Sequence, residues 1–384
     1  MLAALPVELL DYIFSNLASR KDLISVSSVC KLFHAVVDPH LFRSVTVVSH
    51  HGLQSLNEAL KAKTARPKYV LDLKFTIARA LPNFWKDQLP VRDNFLDDFD
   101  FNILPRLTKL QTLSLDVKNY LDYRAWSAIF KIAASGKLLP FLRTCILNLS
   151  KAYYGTGELG NLEEIYLHPT LESLSISRAD CIVRPASILL STSNLPNALR
   201  RLEFSSCEIP PSDLKLILRR TKFLKEFALY MSRSDGSVAN LHEYAEGLEE
   251  VAMTLESLTM DTNAATSGSP LRLSNMKALR KVAVDASVWF GLLCTYPETT
   301  SKQLLISVLP PCLETMEIGG WAVTEGMEDI QPDDPLLAML QPMFDNLDRL
   351  APALKRINQG VFPRPRVSPA FKEVCASKGI STDF

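Results

Sequence analysis

A short apolar frame, L-x-x-L-x-L with aliphatic, aromatic or cysteine substitutes, recurs along most of this 384-residue chain. It stands at Leu110, Leu113 and Leu115, at Leu142, Cys145 and Leu147, at Leu171, Leu174 and Ile176, and at Leu199, Leu202 and Phe204. It returns at Leu224, Phe227 and Leu229, at Leu255, Leu258 and Met260, at Leu279, Val282 and Val284, and at Leu313, Met316 and Ile318. Successive starts lie 24 to 34 residues apart, and Leu71 with Leu73 and Leu354 with Ile357 read as degenerate first and last turns. Between frames lie stretches with helical spacing, at 122–135, 212–220, 240–253 and 335–350. One short strand and one helix cannot bury their own apolar face, whereas stacked copies make a continuous core. The frame therefore predicts an α/β repeat: a solenoid with parallel β-strands on its concave side and helices outside. The run NLEEIYL at 161–167 fits the frame too closely before Leu171 to be a separate turn and reads as helix.

The first 45 residues follow a different pattern. Pro6 suits the first turn of a helix, where its missing N–H is no loss. Leu9, Leu10, Ile13, Phe14 and Leu17 then share one helical face. Ser19 with Asp22 resembles a capping box and predicts a second helix start. From Leu23 to Val37 apolar residues nearly encircle the axis, and such a segment must be covered. A body this small is surface-heavy and cannot cover both helices alone, so the cover comes from the rest of the chain or from another protein.

Read residue by residue, LPVELLDYIFSNLASRKDLISVSSVCKLFHAVVDPHLFRSV resembles the F-box motif along its whole length. The matching positions are Leu5, Pro6, Glu8, Ile13, Leu17, Asp22, Leu23, Val29, Cys30, Lys31 and Phe33, with Phe42 where the motif usually has Trp. The resemblance implies a three-helix module that docks on a Skp-type adaptor and, through it, on the cullin and RING subunits of an SCF ubiquitin ligase. It places Leu5, Pro6, Leu9, Ile13, Leu17, Leu23, Val29, Cys30 and Lys31 among the adaptor-facing residues, and leaves Phe14, Val26, Phe33 and Val36 to internal packing. The repeats, unevenly spaced and mostly lacking the Asn or Cys after the strand, resemble the irregular leucine-rich repeats that follow many F-boxes. The expected organisation is F-box over 1–45, solenoid over 46–360, and linker with C-terminal cap over 361–384.

In such a strand the leucines point inward and the alternate residues reach the concave surface. One column there reads Asp116, Asn148, Ser177, Ser205, Tyr230, Asp261 and Asp285, polar and mildly acidic. Asp116, Arg201, Glu226, Tyr230, Asp261, Lys281 and Asp285 are the candidate contacts for a protein target. Two insertions interrupt the repeats. Residues 81–104 interleave aromatic residues with aspartates, as a lid over a gap in the solenoid would, and 324–335 are acidic, Pro-punctuated and loop-like, just after Trp321.

Composition narrows the chemistry. Lys plus Arg and Asp plus Glu are both 42, so the basic excess of a nucleic-acid or polybasic membrane binder is missing. The seven cysteines are scattered without zinc-ligand spacing, which fits free thiols in a reducing compartment. Cys145 occupies a repeat-core position, where a thiol packs as a hydrophobe. No basic n-region opens the sequence and no 18-residue apolar window exists, so a cytoplasmic or nuclear protein is expected, off the membrane. The spacing Gly155-x-Gly157-x-x-Gly160 imitates a dinucleotide fingerprint, with Asp180 beyond it, yet Pro169 cuts the following helix too short for a crossover. His50 and His51 lack companions for a metal. The expectation is a non-catalytic receptor without cofactor or metal. The alternatives are an F-box scaffold that binds the adaptor without cullin and, more remotely, a nucleotide-dependent enzyme built on the Gly155 loop.

Overall fold

The computed structural model describes residues 5–17, 19–76, 101–117, 129–130, 132–133, 136–149, 162–182, 198–231, 241–261, 270–285, 289, 305–306, 308–319, 335–359 and 368–383. Among these the chain forms two compact units, the first ending at Leu174 and the second beginning at Ser175. Of the insertion at 81–104 only the end from Phe101 onward is described, where a 3-10 turn runs Phe101–Arg106. The rest of 81–104, the Gly155 loop, Trp321 and 324–334 lie outside the described residues.

The first unit opens with three helices, α1 (Val7–Ser15), α2 (Arg20–Ser27) and α3 (Lys31–Arg43). The apolar run from Leu23 to Val37 is therefore not one helix apolar all round. It breaks between Ser27 and Lys31, where the Cys30 Sγ accepts a hydrogen bond from the Phe33 N–H at 3.5 Å and caps α3. Each shorter helix then needs to bury only one face. Helix α2 does start at Ser19, but the Ser19 side chain makes no capping hydrogen bond.

Strand β1 (Ser44–Val47) follows α3 directly, and α4 (His50–Ala62) is capped by Ser49, whose Oγ accepts from Gly52 N at 3.1 Å. Strands β2 (Asp72–Phe75), β3 (Thr112–Val117) and β4 (Thr144–Leu149) pair in chain order, all parallel. Leu73, Leu113 and Cys145 are register partners, so the frame's inner positions stack into a buried column. Burial pushes the Cys145 thiol far above its usual range, so it stays protonated and packs as an apolar group. The NLEEIYL segment is a 3-10 helix, Leu162–Leu167. Residues 129–130 and 132–133 are helical, within the helix expected at 122–135.

Strand β5 (Ser173–Ile182) carries the boundary between the units. In the second unit β6 (Arg201–Glu208), β7 (Glu226–Tyr230), β8 (Ser257–Asp261), β9 (Lys281–Asp285), β10 (Thr315–Gly319), β11 (Arg356–Gln359) and β12 (Ser381–Asp383) again pair in chain order and parallel. The helices are α5 (Pro211–Arg220), α6 (Leu241–Leu248), α7 (Pro335–Asp345), α8 (Leu347–Leu350) and α9 (Pro369–Ser377). Helix α5 starts one residue before the expected Ser212 cap, with Pro210 at the N-cap and Pro211 in the first turn. The leucine opening each frame is buried at the turn before the strand: Leu199, Leu224, Leu255, Leu279, Leu313 and Leu354.

A backbone device recurs along the described turns and sets their register. The carbonyl of the residue after that leucine accepts two N–H groups from the next repeat. The Lys225 carbonyl takes Glu256 N and Ser257 N at 2.8 and 2.9 Å, and the Arg280 carbonyl takes Glu314 N and Thr315 N at the same distances. Because the strand start fixes the alignment, the connecting segment can vary in length without slipping the sheet.

Candidate functional site

The three N-terminal helices close their own core with one set of side chains and leave another set outside. Leu10, Phe14, Leu23, Phe33, Val36 and Val37 are buried together, and the Phe14 and Phe33 rings meet edge to face at 5.3 Å. Leu5, Leu17, Val26, Cys30 and Leu41 pack partly against this cluster. Exposed on the outside are Val7, Leu9, Tyr12 and Ile13 of α1, Ile24 of α2, Val29 between α2 and α3, and Leu32 of α3. Tyr12 is 69% and Val29 67% exposed. Covering an aliphatic side chain of this size is worth about 1.5–3 kcal/mol. Six of them and Tyr12, bared in the first 32 residues, make a surface suited to another polypeptide.

The sequence-predicted residues divide accordingly. Leu9, Ile13 and Val29 stand exposed, and Pro6 and Lys31 are exposed beside them. Leu5, Leu17 and Cys30 are half-buried against the core, Cys30 as the cap of α3. Leu23 departs from expectation: it lies inside the three-helix core, so it holds the module together rather than facing outward. Val7, Tyr12, Ile24 and Leu32 are exposed apolar residues that the motif comparison missed. The signal was present for α1, where positions 9, 12 and 13 form a second helical stripe beside the 10 and 14 stripe.

Polar contacts hold this module on the turn that follows. Asp38 of α3 is buried; Arg66 reaches it from Nη2 at 2.8 Å and from Nε at 3.1 Å, and Lys63 lies at 3.4 Å. The Arg66 guanidinium also sits 4.5 Å over the Phe42 ring and donates to the Ala59 carbonyl at 3.1 Å. Burial alone would raise the Asp38 carboxyl, but the hydrogen bonds and charges of Arg66 and Lys63 outweigh it and hold it below its usual value. Between α1 and α3, His40 Nε2 meets Asp11 Oδ1 at 2.7 Å. Phe42 thus serves as a platform for Arg66, a role an aromatic ring of any size fills.

The second group of candidates lies on the polar faces of the strands. In the first unit, Asp116 accepts a hydrogen bond from Asn148 Nδ2 at 2.7 Å. In the second unit, Arg201 Nε donates to Glu226 at 2.7 Å and Lys281 pairs with Glu317 at 2.8 Å. Tyr230 is half-buried, and burial together with Glu203, Asp261 and Glu317 pushes its phenol up. Asp285 is half-buried, whereas Asp261 is only 3% exposed, which makes it a packed residue rather than an open contact. Among the described residues no group of His, Cys, Asp and Glu has the arrangement of a metal site. No described helix is long and apolar enough to cross a membrane.

Comparisons with known proteins bear on the head and the repeats differently. The F-box-like family model matches residues 2–47. No curated protein is significantly similar to the chain. Among solved structures, the TLR13–ssRNA13 complex is similar at 14% identity and a TM-score of 0.36, over 72% of this chain and 36% of that one. The chain thus spans about a third of the length of that structure. A leucine-rich-repeat protein of Leptospira interrogans is similar at 13% identity and a TM-score of 0.29, over 85% of this chain and 98% of that one. The repeat assignment rests on the strands, register and buried columns of this chain itself. Residues 2–47 are an F-box-like domain, and the chain that follows it is an array of parallel strand repeats of the leucine-rich kind.

Proposed function

We propose that this protein is the target-recognition subunit of an SCF-type ubiquitin ligase. Its F-box-like head binds a Skp-type adaptor, and through it cullin and the RING subunit, while the strand repeats hold a protein target. The observation that carries this reading is the apolar surface left by Leu9, Tyr12, Ile13 and Val29 on a head whose own core is complete. A receptor of this kind performs no bond chemistry. It raises the target's effective concentration beside the ubiquitin-conjugating enzyme.

The polar faces of the strands are the proposed target surface. Arg201 and Glu226 are exposed, Lys281 is exposed but paired to Glu317, and Asp116 is bonded to Asn148. The second unit's polar face also carries Glu203 and Glu317 near Tyr230, which favours a target segment bearing Lys or Arg.

Co-purification tests the proposal. The tagged chain should bring down adaptor, cullin and RING subunit together. Changing Leu9, Ile13 and Val29 each to Asp should remove all three while the circular-dichroism melt stays in place, because these side chains carry little of the head's own packing. Retention of the adaptor by the triple variant would refute the reading. Adaptor without cullin would favour a scaffold outside the ligase.

A further inference from the structure

In the second unit the chain turns from helix into strand twice in succession, from α5 into β7 and from α6 into β8. A cleft of about 520 Å³ lies between these two turns. It is lined by Arg219 and Arg220 from the last turn of α5, by Lys222 just beyond, by Glu250 and Val251 from the 3-10 turn Glu249–Val251 that follows α6, and by Met253. Three cations therefore face one carboxylate. The ionic groups beside them do not redress this, because they pair with each other: Lys215 with Glu246 at 3.6 Å and Lys225 with Glu256 at 2.7 Å. Two other clefts on this unit have no such excess. One of about 250 Å³ sets Lys277 and Arg280 against Glu256 and Glu314, and one of about 230 Å³ sets Arg272 against Glu246 and Glu249.

Local structure accounts for part of the charge. Cations near the C-terminus of a helix offset its dipole, which suits Arg219 and Arg220. Arg219 also meets Glu250, but at 4.0 Å and with its side chain 69% exposed. Lys222 lies past the C-cap Thr221, is exposed, and has no ion pair among the described residues. Apolar groups are bared at the same place. Met253 is 70% exposed, and Phe223, next to Lys222 in the chain, is 54% exposed. An exposed methionine is a flexible, adaptable contact for a partner's apolar side chain.

We propose that this cleft docks an acidic peptide segment of another protein, with carboxylates on Arg219, Arg220 and Lys222 and an apolar side chain on Met253. The uncompensated positive charge selects the acidic segment and excludes basic ones. The bared Met253 and Phe223 add contact that a small anion could not use. Nucleic acid fits less well. Lys plus Arg and Asp plus Glu are both 42, so the chain has no basic excess, and Glu250 within the cleft repels phosphate.

The second unit forms this site alone and no adaptor is required. Its failure would therefore leave the ligase reading untouched.

Fluorescence anisotropy of the purified full chain with a labelled Glu- and Asp-rich peptide carrying one Leu tests the proposal. The peptide should bind saturably, about tenfold or more tighter than its counterpart with Gln and Asn in place of the acids, and added salt should weaken it. This comparison needs no variant. Lys222→Glu should weaken binding about tenfold, whereas Lys222→Arg should bind as the wild type does. Met253→Ser should weaken binding as well. Both side chains are exposed, so the circular-dichroism melts of these variants should match that of the wild type. Equal affinity for the acidic peptide and its amide counterpart would overturn the proposal, as would unchanged binding by Lys222→Glu. Preference for a single-stranded oligouridine over the acidic peptide would overturn it too, in favour of a nucleic-acid site.

Discussion

Leu9 and Leu10 are adjacent in sequence and opposite in duty. Leu10 is buried in the head's core and Leu9 is exposed on its outer face. Leu10→Ala should cost about 2–5 kcal/mol of stability through loss of contacts and a residual cavity. Leu9→Ala should leave the melt nearly unchanged and weaken only adaptor capture, and a thermal melt with a binding assay separates the two. Asp38 and Arg66 form the second residue-scale test. Arg66→Ala leaves a carboxylate buried without its main partner and should destabilise the first unit by about 3–5 kcal/mol. The folded Asp38 carboxyl lies below its ordinary value of 3.8, so its stabilisation is present above that pH and is lost as pH falls through it. Acid unfolding should accordingly be steeper in the wild type than in Arg66→Ala. His168 works in the same direction from a different cause: burial lowers its pKa despite carbonyl contacts, so it folds neutral and opposes folding once pH falls below its ordinary 6.5.

The elements show where local sequence signals hold and where they fail. Ser19 with Asp22 has the spacing of a capping box, yet its hydroxyl makes no cap bond, whereas Ser368 accepts from Phe371 N at 3.1 Å. Ser368→Ala should therefore cost about 1 kcal/mol in a denaturant titration and Ser19→Ala much less. From β7 to β11 the residues after the opening leucine alternate in charge: Lys225, Glu256, Arg280, Glu314 and Lys355. Lys225 meets Glu256 at 2.7 Å, and Glu314 meets Arg280 at 3.2 Å and Lys355 at 3.1 Å. The cations lower the carboxyls of Glu256 and Glu314, chiefly through Lys225 and Lys355 respectively. These pairs are in open solvent, so Glu314→Gln should have a small effect that vanishes at high salt. The capping misreading has a simple origin: spacing specifies which residues can meet, whereas the hydroxyl's rotamer decides whether they do.

At the scale of the molecule, the frame L-x-x-L-x-L was legible because each of its apolar positions is buried in the same way in every turn, from Leu113 and Leu115 to Met316 and Ile318. Strands β1 and β12 were not legible. The first reads SVTV without the leading leucine, and the second, STD, is wholly polar and held by backbone pairing to β11. For the head, the motif identified the module but did not separate inside from outside. Leu23 is buried and Ile24 exposed, a distinction that depends on where α2 lies against α3 and not on either residue's hydrophobicity. The polar face was legible as a column, but the burial of Asp261 within it was not. The central claim is that the head presents an apolar surface for an adaptor, and calorimetric titration of the purified chain with a Skp-type adaptor tests it most directly. Saturable one-to-one binding with a negative heat-capacity change is expected for the wild type, and no heat of binding for a folded Leu9→Asp, Ile13→Asp, Val29→Asp variant. Equal affinity for both proteins would contradict the account.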